Sequence, residues 1–309
     1  VTRLSVAIPL FNEQEVLPEL LRRVGAVLDG IPEGPHEIVI VDDGSSDRTP
    51  ALLDAAANGD PRLVVVTLSR NFGHQAALTA ALDHASGDAV VLMDGDLQDP
   101  PEAIPSLLAQ HAAGYDVVYA QRMQRKESWP LRASYFLFYR LLYWLADLRL
   151  PLDAGDFGLM SRRVVDQIKA APEHNRYLRG LRVWAGYKHI GVPVERDARF
   201  AGKSKYSTLK LLRLASDGIF AFSIVPLRAA AVVGAIAITL SIVFALYALY
   251  AKVVLDRSPA GFTAITILVT FLSGVNILFV GVIGEYVGRI YEEVKARPVY
   301  VVERLKRGP

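Results

Sequence analysis

Two stretches of this 309-residue chain, Ala229 to Tyr250 and Phe262 to Ile283, contain no charged residue. Each is 22 residues long, which at about 1.5 Å per residue makes about 33 Å of helix, enough to cross a hydrocarbon layer of about 30 Å. Core helices of that length normally carry a polar stripe, so both runs read as spanning helices. Small residues at four-residue spacing, Ala230 with Gly234 and Gly284 with Gly288, would let the two approach closely as a hairpin. The overall 52% hydrophobic content and mean hydropathy of +0.27 are high for a soluble protein. That surplus sits in the two runs, because up to about Ser223 charged and apolar residues are mixed as in a globular domain.

Orientation follows from the flanking cations. Arg199, Lys203, Lys205, Lys210, Arg213 and Arg228 precede the first run, and Arg289, Lys295, Arg297, Arg304, Lys306 and Arg307 follow the second. The connecting loop has only Lys252 and Arg257, so the positive-inside rule puts both termini in the cytoplasm. The expected organisation is a cytoplasmic catalytic domain over 1–223, two spans within 224–290 (about 229–250 and 262–284) and a cytoplasmic tail over 291–309, in an inner (plasma) membrane. No signal peptide is read at the start, since Leu4 to Leu10 is short and contains Pro9. With no cysteine there is no disulfide framework or thiolate metal site. The net charge of +2 is uninformative. The basic clusters suit anionic headgroups, and no nucleic-acid partner is expected.

Residues Leu4 to Ile8, Glu37 to Val41, Leu63 to Leu68, Ala89 to Met93 and Val117 to Ala120 are short, valine-rich apolar runs of the kind found in buried strands. Helical segments separate them: Asn12 would cap one from Glu13 to Leu28, Ser46 or Asp47 one through Leu53, and Pro100 and Pro101 suit the first turn of another ending near Gly114. The alternation implies an α/β domain with a doubly wound, mostly parallel sheet. Such sheets bind ligands at the carboxyl ends of their strands. Pro9 to Glu13, Asp42 to Asp47, Ser69 to Gln75 and Asp94 to Asp99 each directly follow an expected strand, so four polar clusters converge on one edge. Among them Asp94-Gly95-Asp96 offers two carboxylates, one residue apart, to a single hard cation.

These residues resemble a known family. Pro9-Leu10-Phe11-Asn12-Glu13, Val41-Asp42-Asp43-Gly44-Ser45-Ser46-Asp47, Ser69-Arg70-Asn71-Phe72-Gly73 and Asp94-Gly95-Asp96-Leu97-Gln98-Asp99-Pro100-Pro101-Glu102 are similar to family 2 inverting glycosyltransferases of GT-A fold. Within it the nearest branch is the polyprenyl-phosphate glycosyltransferases, which include dolichol-phosphate mannose synthase and bacterial undecaprenyl-phosphate glucosyltransferases and also end in a two-helix membrane hairpin. The resemblance implies that Asp42 and Asp43 contact the nucleotide's base and ribose, and that Pro9, Asn12, Glu13 and Gly95 help form the nucleotide-sugar pocket. Asp94 and Asp96 would hold Mg2+ or Mn2+, which would neutralise the leaving diphosphate. Gln98 would orient donor or acceptor, or simply stabilise its loop.

Further on, Ala154-Gly155-Asp156-Phe157-Gly158-Leu159-Met160 resembles the family's acceptor loop, whose aspartate faces the reacting centre. A lipid phosphate has a second pKa near 6 and is already largely anionic at neutral pH. Asp156 is therefore expected to position the acceptor or a cation more than to remove a proton. Arg199, Lys203 and Lys205, in the segment that looks like the family's mobile basic loop, would grip the acceptor phosphate. Arg122, Arg125 and Lys126 suit either phosphate or a solvated turn. The aromatic stretch Trp129 to Leu148 suits an interfacial helix or one buried against the sheet. His74, His84, His111 and His189 lack metal-ligand spacing and read as ordinary histidines.

The expected reaction is inverting transfer of a hexose from a UDP-sugar, glucose first, to polyprenyl (undecaprenyl) phosphate, giving a beta-linked lipid-phosphate sugar. The resemblance also suggests a homo-oligomer, a tetramer. The alternatives are a GDP-mannose-dependent mannose synthase and a non-catalytic nucleotide-binding membrane scaffold. A processive polysaccharide synthase would need more spans and a Gln-x-x-Arg-Trp motif, which Arg182-Val183-Trp184 only approximates.

Overall fold

The computed structural model describes residues 3–32, 34–122, 154–174, 176–195, 225–254 and 261–309. Eight strands make one sheet: β1 (Leu4–Leu10), β2 (Glu37–Asp42), β3 (Leu63–Leu68), β4 (Ala89–Leu92), β5 (Val117–Arg122), β6 (Ala154–Ser161), β7 (His189–Val194) and β8 (Val302–Arg307), in the order β7-β5-β6-β4-β1-β2-β3-β8. All five strands expected from the apolar runs form. Each of β1 to β4 is buried on both faces, which is why its sequence reads as a nearly continuous apolar run.

The pleat sorts these side chains into two cores. Leu4, Val6 and Ile8 of β1 and Ile38 and Ile40 of β2 pack with Leu17, Leu20 and Val24 of α1 (Leu17–Asp29), Leu53 of α2 (Thr49–Gly59) and Leu107 of α4 (Ile104–Ala112). Ala7, Val39 and Val41 face the other way, onto Ala77, Leu78 and Ala81 of α3 (His74–His84), with Val165 of α5 (Arg162–Ala170) and Leu181 of α6 (Leu178–Trp184).

Parallel pairs outnumber antiparallel ones, as expected of a mostly parallel sheet, while some local expectations need correction. The sheet is mixed: β1-β2, β2-β3, β1-β4 and β5-β7 are parallel, but β6 runs antiparallel to β4 and β5, and β8 antiparallel to β3. Ala154 to Met160, expected as a loop, thus lies in strand β6. Asn12 does not cap a helix: its φ of 54° is left-handed, which asparagine tolerates, and its Oδ1 accepts the Ser46 N–H at 2.8 Å. Helix α1 starts later, at Leu17, with a proline in its first turn. Helix α2 begins at Thr49, whose N–H donates to Asp47 Oδ1 at 2.9 Å, and runs past Leu53 to Gly59.

Helices α7 (Val225–Val254) and α8 (Phe262–Lys295) contain the two uncharged runs and extend beyond them. Both are long and apolar enough to cross a bilayer, and their apolar sides are bare, Leu240 and Leu278 being 64% and 62% exposed. They pack against each other. A Cβ built on Gly234, Gly284 or Gly288 meets nothing within 4 Å among the described residues.

The tail expected over 291–309 is instead structural. Its first residues finish α8, and then β8 pairs with β3 from Val64↔Arg307 to Leu68↔Val302. A charged, half-exposed strand suits the edge of a sheet. Arg304 and Lys306, read in the sequence as topology charges, both reach Asp54 of α2, at 2.9 and 3.8 Å.

Candidate active site

The carboxyl ends of β1 to β4 are stitched together by hydrogen bonds of the polar clusters. Asn12 N–H donates to Ser45 Oγ at 2.9 Å and Glu13 N–H to Thr49 Oγ1 at 3.0 Å, which ties the turn after β1 to the turn after β2. Asp43 accepts the N–H groups of Phe72 and Gly73 at 2.7 and 3.0 Å, fastening the turn after β3. Gly44 sits between, at a φ of +68°, where an added Cβ would lie 2.5 Å from the Arg70 carbonyl carbon. These contacts give Asn12 and Asp43 a framework role alongside the nucleotide contacts expected of them.

Asp42 is different. It is fully buried at the end of β2, Oδ1 accepts the Ser45 N–H at 3.1 Å, and Oδ2 has no hydrogen-bond partner among the described residues. Burial raises its pKa against the opposing effect of Ser45. It lines a cleft of about 620 Å³ with Ser45, Thr67, Ser69 and Arg70 and, from β8, Glu303 and Arg304.

After β4 the chain turns sharply through Asp94-Gly95-Asp96-Leu97. A Cβ on Gly95 would press on the tip of the Leu10 side chain at the end of β1, so the turn packs closely there and a larger residue would have to displace that side chain. Leu97 takes a left-handed φ of 56°, and Asp96 Oδ1 accepts the Gln98 N–H at 3.1 Å. Because the strand has already ended, the two carboxylates do not continue along one extended segment. Among the described residues the group able to hold a metal ion is His74, Asp94 and Asp156, whose ligand atoms lie within 4.8 Å of one another. Asp96, the expected partner of Asp94, is not one of the three and lies two residues from Asp94 on the same turn.

Three elements build the group. His74 opens α3, Asp94 follows β4 and Asp156 lies on β6. His74 Nε2 is 3.6 Å from Asp94 Oδ1 and 3.6 Å from Asp156 Oδ2. Behind them Arg179 of α6 grips Asp156 through two parallel bonds of 2.7 and 2.6 Å. Arg182, one turn on and buried, donates to the Gly155 carbonyl at 2.9 Å. The residue singled out in Arg182-Val183-Trp184 therefore supports β6 from beneath.

Electrostatics divide the two carboxyls. Asp94 is pushed up to about 6, first by burial and then by Asp156, Asp99 and Asp96, against His74. Burial would also raise Asp156, but Arg179 and then His74 outweigh it and hold that carboxyl far below its usual range. His74 is disfavoured as a cation by burial, yet Asp156 and Asp94 raise it overall. Burial lowers Arg182 to about 10. The two crowded carboxylates offer the hard oxygen donors that Mg2+ and Mn2+ take, His74 adds a borderline nitrogen that suits Mn2+ better than Mg2+, and a divalent ion would relieve the repulsion that Asp94 feels.

His74 and Arg179 escaped the sequence reading. The position of His74 was legible, inside the polar cluster after β3, but its partners are distant in the chain and no ligand spacing links them. Arg179 gave no signal, since its partner became visible only when α6 packed on β6. Arg199, Lys203, Lys205, Arg125, Lys126 and the aromatic stretch 129–148 lie outside the described residues.

Residues 5–169, more than half of the chain, match the family profile described as glycosyl transferase family 2. The chain belongs to that family. Family 2 relatives extend over nearly its whole length. The SfII prophage-derived bactoprenol glucosyl transferase of Shigella flexneri is 39% identical over 307 residues, covering 99% of both chains. The undecaprenyl-phosphate 4-deoxy-4-formamido-L-arabinose transferase of Sodalis glossinidius is 37% identical over 312 aligned positions, covering 98% of this chain and 94% of that protein. Among solved structures, glucosyl-3-phosphoglycerate synthase from Mycobacterium tuberculosis, in complex with Mn2+, UDP and phosphoglyceric acid, superposes with a TM-score of 0.52. It is 20% identical over 71% of this chain and 76% of its own. That likeness concerns the fold, a GT-A-type mixed sheet with helices on both faces.

Proposed function

We propose that this family 2 glycosyltransferase moves a hexose, glucose, from its UDP-sugar to polyprenyl (undecaprenyl) phosphate, inverting the anomeric centre to give a beta-linked lipid-phosphate sugar. The observation that carries the reading is the joining, in one chain, of a metal-competent His74–Asp94–Asp156 group, a polar cleft at the ends of β2 and β3, and two bare apolar helices. The lipid-phosphate sugar transferases among its relatives support the acceptor class.

Mg2+ or Mn2+ held by Asp94, Asp156 and His74, with Asp96 close in sequence, would neutralise the departing diphosphate. The protein's own groups do the rest. Asp42 receives the base, and Pro9, Asn12, Glu13, Asp43 and Gly95 shape and hold the turns around it. Asp156, clamped by Arg179, stays ionised and is a poor proton acceptor near neutral pH. It therefore orients charge, which suffices because the acceptor phosphate is already an anionic nucleophile. Gln98 orients a substrate, and Arg199, Lys203 and Lys205 meet the acceptor phosphate.

The catalytic unit in this reading is 1–223 together with β8, and the hairpin anchors it with both termini cytoplasmic. The return of β8 to the sheet that holds β1 supports an even number of crossings. A homo-oligomer, a tetramer, is part of the proposal. The test is transfer of radiolabel from a panel of UDP- and GDP-sugars to undecaprenyl phosphate by purified protein in detergent, with Mg2+, Mn2+ or excess chelator. Lipid-soluble label from UDP-glucose, lost in chelator, is expected. Label from no donor, or undiminished labelling in chelator, would overturn the reading.

A further inference from the structure

The cleft at the ends of β2 and β3 is not closed by the sequence clusters alone. Part of its lining comes from far along the chain: β8, reached only after both long helices, adds Glu303 and Arg304, and Arg304 lies in the same row of the sheet as Asp42 with Thr67 between them. Its docking is specific. Ser69 N–H donates to the Val301 carbonyl at 3.0 Å, Tyr300 Oη to Asp83 Oδ2 at 2.8 Å, and Gly308 N–H to the Leu63 carbonyl at 2.9 Å. Arg304 itself is held by Asp54 at 2.9 Å, with its side chain 47% exposed.

We propose that Arg304 is a donor-binding residue, its guanidinium meeting the nucleotide base in the cleft it shares with Asp42. This rests on the nucleotide-sugar reading of the site and assigns it a residue that lies beyond the residues matched by the family profile. The chemistry is complementary. A uracil or guanine edge presents ring N–H beside carbonyl oxygen. The unpartnered Asp42 Oδ2 accepts the former, and the guanidinium donates to the latter. A buried carboxylate and a cation lining one polar cleft discriminate strongly, because a base lacking either group leaves one of them without a partner. It follows that the donor site is complete only when the segment after the hairpin has docked.

The experiment uses the full chain in detergent with Mg2+, measuring UDP and GDP binding by calorimetry, and donor KM and kcat in the transfer assay. Arg304→Ala is expected to weaken binding of the preferred diphosphate about tenfold or more and to raise donor KM by the same factor, with kcat changed less than about twofold. Arg304→Lys keeps charge and the reach to Asp54 but loses the planar fork, so several-fold weakening is expected even if the alanine variant fails to fold. Asp54→Ala, which removes the bridge but leaves the guanidinium at the cleft, should bind within about twofold of wild type. Binding by both Arg304 variants within about twofold of wild type, or equal weakening by Asp54→Ala, would overturn the inference while leaving the donor reading intact. Wild-type protein that binds neither diphosphate would overturn both.

Discussion

Arg179→Gln tests the electrostatic reading of the site without reference to substrate. Asp156 is 6% exposed, and Arg179 supplies both of its short hydrogen bonds. Removing one partner of such a buried pair generally costs about 3–5 kcal/mol, because a charge is left without compensation. Two features place this site at the low end: Arg179 keeps 30% exposure, and His74 stands 3.6 Å from the same carboxylate. The expected loss is therefore about 3 kcal/mol, against a typical total of about 5–15 kcal/mol for a domain. Denaturant unfolding of the purified protein in detergent with excess chelator would measure it, free of metal binding. In a double-mutant cycle with Asp156→Asn, the coupling should be about 1.5–3 kcal/mol. A loss below about 1 kcal/mol, or coupling below about 0.5 kcal/mol, would refute the picture of Asp156 as an ion clamped in place.

Other expectations follow from single residues. Asp156→Asn should retain more than roughly a tenth of wild-type turnover, whereas a loss on the order of 10³-fold would point to base catalysis, as measured by initial rates of label transfer. Gly95→Ala should destabilise by about 1 kcal/mol as the buried Leu10 side chain shifts to make room, read as a lowered denaturation midpoint, and a neutral result would mean that Leu10 rotates away without cost. Asp116 is held below the usual carboxylate range by its hydrogen bonds to Arg163, with Ser161 adding to the effect and burial opposing it. Its stabilising contribution is present above the unfolded pKa of about 3.9 and is lost as pH falls through the lower folded value. The stability gap between wild type and Asp116→Asn should thus be constant above about pH 5 and shrink below about pH 4.

Much of the architecture could be read from the chain because β1 to β4 are buried on both faces, and double burial leaves a plain mark, a mostly apolar strand of four to seven residues ending in a polar turn. The edge that carries the site followed from the same pattern. Strand β6 was harder: Gly155 and Gly158 interrupt its run, and the approach of Gly158 to the Val118 carbonyl and Tyr119 explains why glycine is needed there. Strand β8 was hidden for the opposite reason, since Val302-Glu303-Arg304-Leu305-Lys306-Arg307 carries the charges of an edge and those charges had an adequate explanation as topology signals. At the site, Asp94 was found as a strand-end acid and Asp156 through the resemblance of Ala154 to Met160 to the family's acceptor loop. His74 and Arg179 owe their roles to tertiary packing, which no spacing within the sequence encodes.

The pairing of β3 with β8 sets an order of assembly. Residues Val64 and Arg307, neighbours in the sheet, are made at opposite ends of synthesis, with both hydrophobic helices emerging in between. Until β8 leaves the ribosome, β3 is a bare edge with unsatisfied amides, able to recruit stray strands. In the proposed topology, insertion of the hairpin would tether that half-finished sheet at the bilayer, so β8 would arrive where the lipid substrate is and not in free solution.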